Sequence, residues 1–587
     1  MLAFEVNQVM WMDFKAAIKS TRALLVISFC ILVLLKVILS LRFHSPWILW
    51  DEVVYSAVAA DIFGSTYPAL PRAYPLLISV AYLFSENKII IYHIILFINS
   101  ILSSLIVFPS YFILNKYCPK DFSFMGAITI ATLPSLTLYT FVIMTENLFV
   151  PLFISSIWFL LEAYETEKPF WIILAVSSVS LLFFTRHSGI LMLVGMAVSL
   201  IYYLLFGMRS GNIRQRLSSR LIIIISIILS TASLALFALV LTGLERISYF
   251  YWLYDRAKID SQFFLEIFNN MTHLKDYLVL LQNEIAYLMI ASYFIFFYIF
   301  IMFFLEVFSI SVRQSKYASI SSWLNSLGGE KRHALRSVGI YYLSTWAILV
   351  LTTTMSAYKL DQEIYGRYID PIVPSLFLFG LIGIYQTHKV SKKPNFRIIT
   401  SIGIISSIIF FYNFPALKAE EIPIVYANCL ESLAPNWLVF PALSAGFLLL
   451  LNIYKNLGGN WKIFFAILIT FSVGASAYSY YTDLAYNSDR YHAMNQIGIY
   501  LNEHSNNESM IIMDNEIPGN DWYFEYITSF WIKKNIIYMP ISENLLPGLQ
   551  SGKNEIYIIT SKALPLEPLT YSNRGYYLYK FESQSYE

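Results

Sequence analysis

Residues 22–52 read RALLVISFCILVLLKVILSLRFHSPWILWDE. The first part, residues 22–41, is almost entirely apolar, and about 20 apolar residues are what an α-helix needs to cross a bilayer. Two adjacent acids, Asp51 and Glu52, follow soon after it. Neighbouring carboxylates at a membrane face are costly to hold together unless they have cationic partners or a chemical task. This stretch therefore predicts a membrane protein with polar chemistry at one face.

The composition extends this prediction to most of the chain. Of 587 residues, 57% are hydrophobic and 13% are charged, whereas soluble proteins carry about 25% charged residues. The net charge is only +2 and the clusters of basic residues are segregated to one side of the membrane, so we expect no nucleic-acid partner. The three cysteines are too few and too scattered for a disulfide framework or a metal cluster. We therefore expect a multi-pass protein of the plasma membrane, in contact with membrane lipid.

Apolar blocks of sufficient length predict about thirteen membrane-spanning helices. They lie near residues 22–41, 90–114, 122–140, 146–162, 170–185, 188–206, 219–242, 279–306, 339–357, 368–386, 398–413, 436–454 and 462–481. Residues 74–84 are apolar but too few to span, so we expect them to lie at the membrane surface.

The charges on the loops predict the orientation of these helices. Basic residues cluster on alternate loops, and the positive-inside rule makes that side cytoplasmic. The basic residues are Arg209, Arg214, Arg216, Arg220, Arg313, Lys316, Lys331, Arg332, Arg336, Lys389, Lys392, Lys393 and Arg397. The opposite loops carry Asp51, Glu52, Glu146, Asp361, Glu363, Glu420 and Glu421. With the N-terminus inside and an odd number of helices, the chain after about residue 482 is predicted to lie outside.

Residues 482–587 change character and predict a small extracytoplasmic α/β domain after a transmembrane domain at residues 1–481. Helical patterns alternate there with strand-like runs, as is typical of α/β domains. The helical patterns lie at residues 491–503 and 522–534, and the strand-like runs at 510–513, 536–541, 555–560 and 576–581.

The acid pair lies in a first outer loop, residues 42–88, that predicts ordered structure. Asp61 and a turn at Gly64 follow the pair, and Arg72 precedes the short apolar segment. This order predicts a helix, a turn and a second helix. Asp51 and Glu52 are then candidate catalytic residues, although a solvated acid pair favoured by the dipole at a helix start is the alternative.

Three short elements resemble the GT-C superfamily of polyprenyl-phosphate-dependent membrane glycosyltransferases. They are the pair Asp51-Glu52, the run Thr185-Arg186-His187-Ser188-Gly189, and Gly366-Arg367-Tyr368 with Pro371 and Pro374. The acid pair is similar to that of protein O-mannosyltransferases. The acidic first loop, about thirteen helices and the outer C-terminal domain resemble aminoarabinose transferases and oligosaccharyltransferase subunits.

The chain also departs from these relatives. The tail has no Trp-Trp-Asp motif, which argues against an oligosaccharyltransferase. The first outer loop also lacks the Glu-Lys-Pro element that the aminoarabinose transferases carry before the second surface helix, and Arg72 occupies roughly that region instead. The branch of the superfamily therefore stays open.

The resemblance implies a GT-C-like helical membrane fold and an inverting transfer of a sugar from a polyprenyl-phosphate donor at the outer face. The acceptor would be a glycan, a lipid or a protein. A sugar on a lipid phosphate already has a good leaving group, so an attacking alcohol chiefly needs a base. We expect Asp51 to be that base, with Glu52 sharing the role or binding the acceptor.

The departing phosphate needs cations and hydrogen-bond donors as its charge develops. The predicted substrate-binding residues are Arg72, Glu146, Arg186, Lys359, Asp361, Tyr365 and Arg367. Each has an ordinary structural alternative. Arg186 could instead extend to lipid headgroups, Arg367 could pair with Asp361 or Glu363, and Glu146 could be an acid favoured at a helix start.

No cofactor is expected. A divalent metal is compatible with the outer acids but is not indicated, because no His, Asp and Glu cluster there has metal-ligand spacing. Two further functions stay open: a polymerase or ligase of lipid-linked glycans, and a secondary transporter. A transporter would favour ionisable residues near the middle of helices and paired inverted repeats, whereas the acids noted here lie in loops and at helix ends.

Overall fold

The computed structural model describes residues 21–43, 50–61, 71–207, 269–308, 329–360, 369–390, 461–480, 485–505, 509–514, 530–531, 536–541, 555–564, 568–571 and 577–581, with the single residues 262, 267 and 327. The described part of the chain is mostly helical. Its helices before the first short turn are α1 (Thr21–Ser40), α2 (Trp50–Ala60), α3 (Ala73–Ile78), α4 (Ala81–Phe84), α5 (Lys88–Ser104), α6 (Val107–Tyr117), α7 (Lys120–Ala131) and α8 (Pro134–Leu138). A 3-10 turn, Tyr139–Phe141, follows α8.

The later helices are α9 (Glu146–Thr166), α10 (Pro169–Thr185), α11 (Gly189–Tyr202), α12 (Met271–Ala291), α13 (Ile295–Phe308), α14 (Gly329–Leu360), α15 (Val373–Val390), α16 (Trp461–Ser479) and α17 (Ala485–His504). A π-helical turn, Tyr203–Gly207, follows α11, and a 3-10 turn, Asp370–Ile372, precedes α15.

Within the described residues, six helical stretches are long and apolar enough to cross a membrane, or up to eight if each of two bent pairs counts as one span. The chain is thus a multi-pass membrane protein. The predicted spans at residues 170–185 and 368–386 correspond to shorter apolar helices, Pro169–Thr185 and Asp370–Gln386. The predictions at 219–242, 398–413 and 436–454 lie outside the described residues, so the number thirteen stays a prediction.

Two of the predicted spans are bent rather than continuous. The axes of α7 and α8 differ by 59°, and Pro134 begins α8. The axes of α12 and α13 differ by 106°. At the second bend Tyr293 and Phe294 have φ angles of 52° and 57°, a left-handed conformation that ends the helix. No glycine or proline marks residues 292–294, so the sequence pattern predicted one continuous helix there.

Helix α9 lies at the centre of the membrane part and packs against α5, α6, α10 and α14. Hydroxyl groups link neighbouring helices, as expected where lipid offers no competing partners. The Tyr341 hydroxyl lies 2.9 Å from that of Ser156, joining α14 to α9. Helices α11 and α14 approach closely at Gly195, where an added Cβ would lie 2.2 Å from the Thr345 hydroxyl. These contacts make the helix bundle one packed unit.

The C-terminal part contains a five-stranded sheet of order β2-β1-β3-β5-β4. The strands are β1 (Met510–Asp514), β2 (Ile536–Met539), β3 (Ile556–Thr560), β4 (Thr570–Tyr571) and β5 (Tyr577–Phe581). Strand β1 pairs in parallel with β2 and β3, and β5 pairs antiparallel with β3 and β4. The four predicted strands are present and β4 is additional. The predicted helix at 491–503 lies within α17; of that at 522–534, only residues 530–531 are described.

Two aromatic residues connect this sheet-containing part to its neighbours. Trp531 is 1% exposed and donates from Nε1 to Asn495 Oδ1 of α17 at 2.8 Å. Its ring fits against Gly498, where a Cβ would lie 2.3 Å from the indole. The Phe530 ring packs edge-on against Tyr92 of α5, with centroids 6.4 Å apart. The C-terminal part therefore contacts the start of α5.

Replacing Trp531 by alanine should destabilise the C-terminal part, because it removes a buried indole and leaves Asn495 without its donor. We expect a loss of about 3–5 kcal/mol, typical of buried large-to-small changes. Thermal unfolding and protease resistance of the detergent-solubilised protein would measure it. The control is Ile537→Ala in β2, which is 42% exposed and should change stability by about 0.5 kcal/mol or less. Equal losses in both variants would contradict the assigned packing.

Candidate active site

A buried non-helical segment, residues 142–145, lies between the turn Tyr139–Phe141 and α9. Buried backbone groups need hydrogen-bond partners, and here side chains supply them. The Val142 carbonyl accepts from Asn99 Nδ2 at 2.9 Å and from Asn147 Nδ2 at 3.2 Å. Side chains of α5 and α9 thus fix the path of this segment.

Glu52 joins α2 to the same segment. Its side chain is fully buried, and Oε1 accepts from the Ile143 N–H at 2.8 Å. Asp51, the preceding residue of α2, is half-buried. Successive residues of a helix point about 100° apart, which gives the two acids different surroundings. One acid of the predicted pair is therefore bound to backbone, while the other keeps access to solvent.

Arg186, in the short connection between α10 and α11, forms a buried ion pair. Arg186 Nη1 lies 2.7 Å from Glu146 Oε1, and the two side chains are 11% and 2% exposed. The Thr145 hydroxyl donates to Glu146 Oε2 at 3.2 Å. Glu146 begins α9 and Arg186 caps the end of α10, positions at which helix dipoles favour an acid and a base respectively. Two predicted substrate-binding residues are thus brought together.

Asp370 is a site residue that the sequence analysis did not select. It is 1% exposed, and its Oδ2 accepts from the Tyr139 hydroxyl at 2.5 Å. The Tyr287 hydroxyl donates to Oδ1. The charges of Glu146 and Arg186 both act on this carboxylate. The sequence did contain a signal for this residue. Asp370 follows the Gly366-Arg367-Tyr368-Ile369 run and directly precedes Pro371, which puts an acid at a helix start.

Tyr74 of α3 is influenced by both Glu52 and Glu146. Its hydroxyl donates to Asn99 Oδ1 at 2.9 Å, and the same asparagine holds the Val142 carbonyl. Burial, with the charges of Glu52 and Glu146, raises the pKa of Tyr74 well above its usual value, so the phenol stays neutral and donates. Glu52 and Glu146 therefore both lie within electrostatic range of one phenol. Together with Arg186, Asp370 and Tyr139 they form one polar cluster.

The other predicted residues have different outcomes. Arg72 is 6% exposed and immediately precedes α3, two positions before Tyr74. Lys359 lies in the last turn of α14. The remaining candidates, Asp361, Tyr365 and Arg367, lie outside the described residues, as does Glu363. The roles assigned to all of these residues stay predictions.

Among the residues that the structure describes, no group of three or more His, Cys, Asp or Glu side chains could hold a metal ion.

Breaking the Glu146–Arg186 pair should cost far more stability than breaking a more exposed pair. Arg186→Gln leaves the Glu146 carboxylate buried without its cation, which typically costs about 3–5 kcal/mol. The control is Lys580→Gln, which breaks a pair with Glu555 in which the two side chains are 23% and 30% exposed, and we expect about 1 kcal/mol or less there. Thermal unfolding in detergent would compare them. Equal melting temperatures would contradict a buried pair.

The chain matches no protein-family model and no curated protein. It does match solved structures. One is ArnT from Cupriavidus metallidurans bound to undecaprenyl phosphate, with a TM-score of 0.45 and 14% identity over 94% of this chain and 97% of that chain. For the apo state of ArnT the values are 0.46 and 12%, over 96% and 98%.

A third match is the archaeal oligosaccharyltransferase AglB from Archaeoglobus fulgidus in complex with an inhibitory peptide and a dolichol-phosphate. Its TM-score is 0.39 and its identity 12%, over 90% of this chain and 69% of that chain. ArnT and AglB are GT-C glycosyltransferases, the superfamily that the sequence resembles. At these TM-scores and identities the similarity carries no conclusion about activity, which has to be argued from the site residues.

Proposed function

We propose that the chain is an inverting glycosyltransferase that moves a sugar from a polyprenyl-phosphate donor to an acceptor at the outer face of the membrane. The observation that carries this proposal is the hydrogen bond from Ile143 to Glu52 beside the Glu146–Arg186 pair. Glu52 of the acid pair and Arg186 from a distant helix connection both contact one short stretch, residues 143–146, and this supports the proposal. When an alcohol displaces a lipid phosphate from a sugar, a base is needed at the alcohol and a cation at the departing phosphate.

Asp51 is the better candidate for the base. A base has to reach the hydroxyl of an incoming acceptor, and Asp51 is half-buried, whereas Glu52 is fully buried against the Ile143 N–H. In the proposed step Asp51 takes the acceptor proton while the acceptor oxygen bonds to the anomeric carbon. Glu52 then positions the loop rather than exchanging protons.

Arg186 is the candidate for the departing phosphate. The bond between the anomeric carbon and the phosphate oxygen breaks, and the lipid phosphate leaves with the electron pair. Arginine suits this task, because its planar guanidinium carries five donors. Glu146 contacts it through Nη1, so a phosphate and the carboxylate can share the guanidinium. Arg72, buried at the start of α3, is the second candidate cation.

The nature of the acceptor decides whether a base is needed. An acceptor alcohol, on a glycan or a protein, requires proton removal. An acceptor that is already an anionic lipid phosphate does not, and Asp51 would then orient it. A polymerase or ligase of lipid-linked glycans would use the same groups on a larger donor.

Transport is the second candidate function, and one observation favours it. Glu284 lies inside α12, part of a bent candidate span, and is 1% exposed. Thr353 and Thr354 of α14 donate to its Oε2 at 2.9 and 2.7 Å. Ionisable residues buried within membrane helices are frequent in transporters. The glycosyltransferase remains the proposal because the acid pair, Arg186 and Asp370 lie at helix ends rather than inside membrane-spanning helices.

The decisive variant is Asp51→Asn in protein reconstituted into lipid. Radiolabelled polyprenyl-phosphate sugars and lipid-linked glycans would be offered with cell-envelope acceptors, and product formation would be counted. We expect wild-type turnover to fall at least about a hundredfold, the usual size of a lost general base. Size-exclusion chromatography would confirm that both proteins are folded.

The matched control is Asp61→Asn, since Asp61 follows the last turn of the same helix and is exposed. It should keep wild-type turnover. Turnover that survives in Asp51→Asn would keep the transferase and remove Asp51 from its chemistry. If wild type neither binds nor transfers any lipid-linked sugar in the panel, the transport alternative takes precedence.

A further inference from the structure

We propose that Asp370 is a positioning residue that sets the donor-phosphate affinity of Arg186. This inference rests on the proposed function and adds to it a residue from a distant part of the chain. Asp370 would act in two ways, through the tyrosine that shapes the site segment and through its own charge.

The carboxylate of Asp370 joins three elements that are far apart in sequence. It begins the 3-10 turn before α15, Tyr139 belongs to the turn after α8, and Tyr287 lies on α12. Both phenols donate to it, one to each oxygen. A buried carboxylate needs such donors, because burial without them is costly. The position of Tyr139 is therefore tied to Asp370.

Tyr139 is also held by its backbone carbonyl, next to the ion pair. Its carbonyl accepts from Asn147 Nδ2 at 2.7 Å, and Asn147 is the residue after Glu146. The same amide nitrogen lies 3.1 Å from the Met144 carbonyl. A shift of the phenol would therefore be transmitted to the segment that carries Glu146.

Asp370 also lies within electrostatic range of the ion pair. Arg186 attracts this carboxylate and Glu146 repels it. The guanidinium thus lies in the field of two buried acids and contacts Glu146. Charges interact strongly where water is excluded, so removing the charge of Asp370 should let the guanidinium settle differently on Glu146. Misplacing a binding group by 1 Å can cost about a hundredfold.

The test is Asp370→Asn, which keeps the shape and one acceptor oxygen but removes the charge. Donor and acceptor kinetics would be measured separately in reconstituted protein. We expect the donor KM to rise about tenfold and kcat to fall by a similar factor, as for a displaced binding group. The acceptor KM should stay at the wild-type value. Binding of radiolabelled polyprenyl phosphate should weaken in parallel, without any turnover.

Glu284→Gln provides the matched control. Glu284 is also 1% exposed and also accepts from two hydroxyls. The two hydroxyls belong to Thr353 and Thr354 of α14. Burial and these two hydrogen bonds determine the surroundings of its carboxylate. If loss of a buried carboxylate merely loosens the helix bundle, both variants should lose stability and active fraction alike. We expect the donor KM to rise in Asp370→Asn and to stay unchanged in Glu284→Gln.

A double-mutant cycle tests whether Asp370 acts through Arg186. In an Arg186→Lys background, Asp370→Asn should change the donor KM much less than it does in wild type, because coupled residues are not additive. Tyr287→Phe removes one donor and keeps the ring. It should move the donor KM in the same direction by a smaller factor, and it serves as the test if Asp370→Asn fails to fold.

The failure of this inference can be told apart from that of the proposed function. A wild type that transfers sugar, with an unchanged donor KM in both Asp370→Asn and Tyr287→Phe, overturns the role of Asp370 and leaves the transferase standing. An equal rise of the donor KM in Glu284→Gln overturns that role as well. A wild type that binds no polyprenyl phosphate and transfers nothing overturns both.

Discussion

A break in helical backbone inside a membrane protein has to be compensated by side-chain hydrogen bonds, because lipid offers no partner for the N–H and C=O groups that the break sets free. The segment 142–145 is such a break, and all four of its residues are buried. Glu52 takes its Ile143 N–H, while Asn99 and Asn147 donate to its carbonyls. Those side chains come from α2, α5 and α9, so the requirement draws three helices together around one point.

The polar cluster follows from that requirement. Each of its three buried carboxylates has a different kind of donor: Glu52 has a backbone N–H, Glu146 a guanidinium and Asp370 two phenols. Fixed donors of this kind are already oriented before substrate arrives and need no reorganisation during a reaction. Under the proposed function, Asp51 is the acid of the site that keeps contact with solvent. Which of the two neighbouring acids can act as the base is thus decided by which carboxylate accepts the backbone hydrogen bond, and that acid is Glu52.

The membrane character, most helix positions and four strands could be predicted from the sequence because they depend on local pattern: long apolar runs and alternating helical and β-rich segments. The 106° bend between α12 and α13 could not, since Tyr293 and Phe294 adopt left-handed conformations there that no glycine or proline announces. Such a bend depends on tertiary packing, here including the Tyr293 hydroxyl beside that of Ser472.

The candidate site also depends on tertiary packing that the local sequence pattern does not contain. Asp51 and Glu52 look equivalent in sequence, and only the fold distinguishes the one that faces Ile143. Asp370 went unselected because its partners Tyr139 and Tyr287 are 231 and 83 residues away.

Among the described residues, the aromatic ring of Phe530 connects the C-terminal part to this arrangement. Phe530 packs against Tyr92, whose hydroxyl donates to the Phe141 carbonyl at 3.2 Å, immediately before the buried segment. Lys88 lies over the rings of both Phe530 and Tyr82, and Tyr82 donates to the Ser56 carbonyl of α2, one turn beyond Glu52. Two short paths therefore run from Phe530 to the helix and the segment that Glu52 joins. Displacing the Phe530 ring would therefore disturb both partners of the hydrogen bond between the Ile143 N–H and Glu52. The C-terminal part thus helps to hold the site in place.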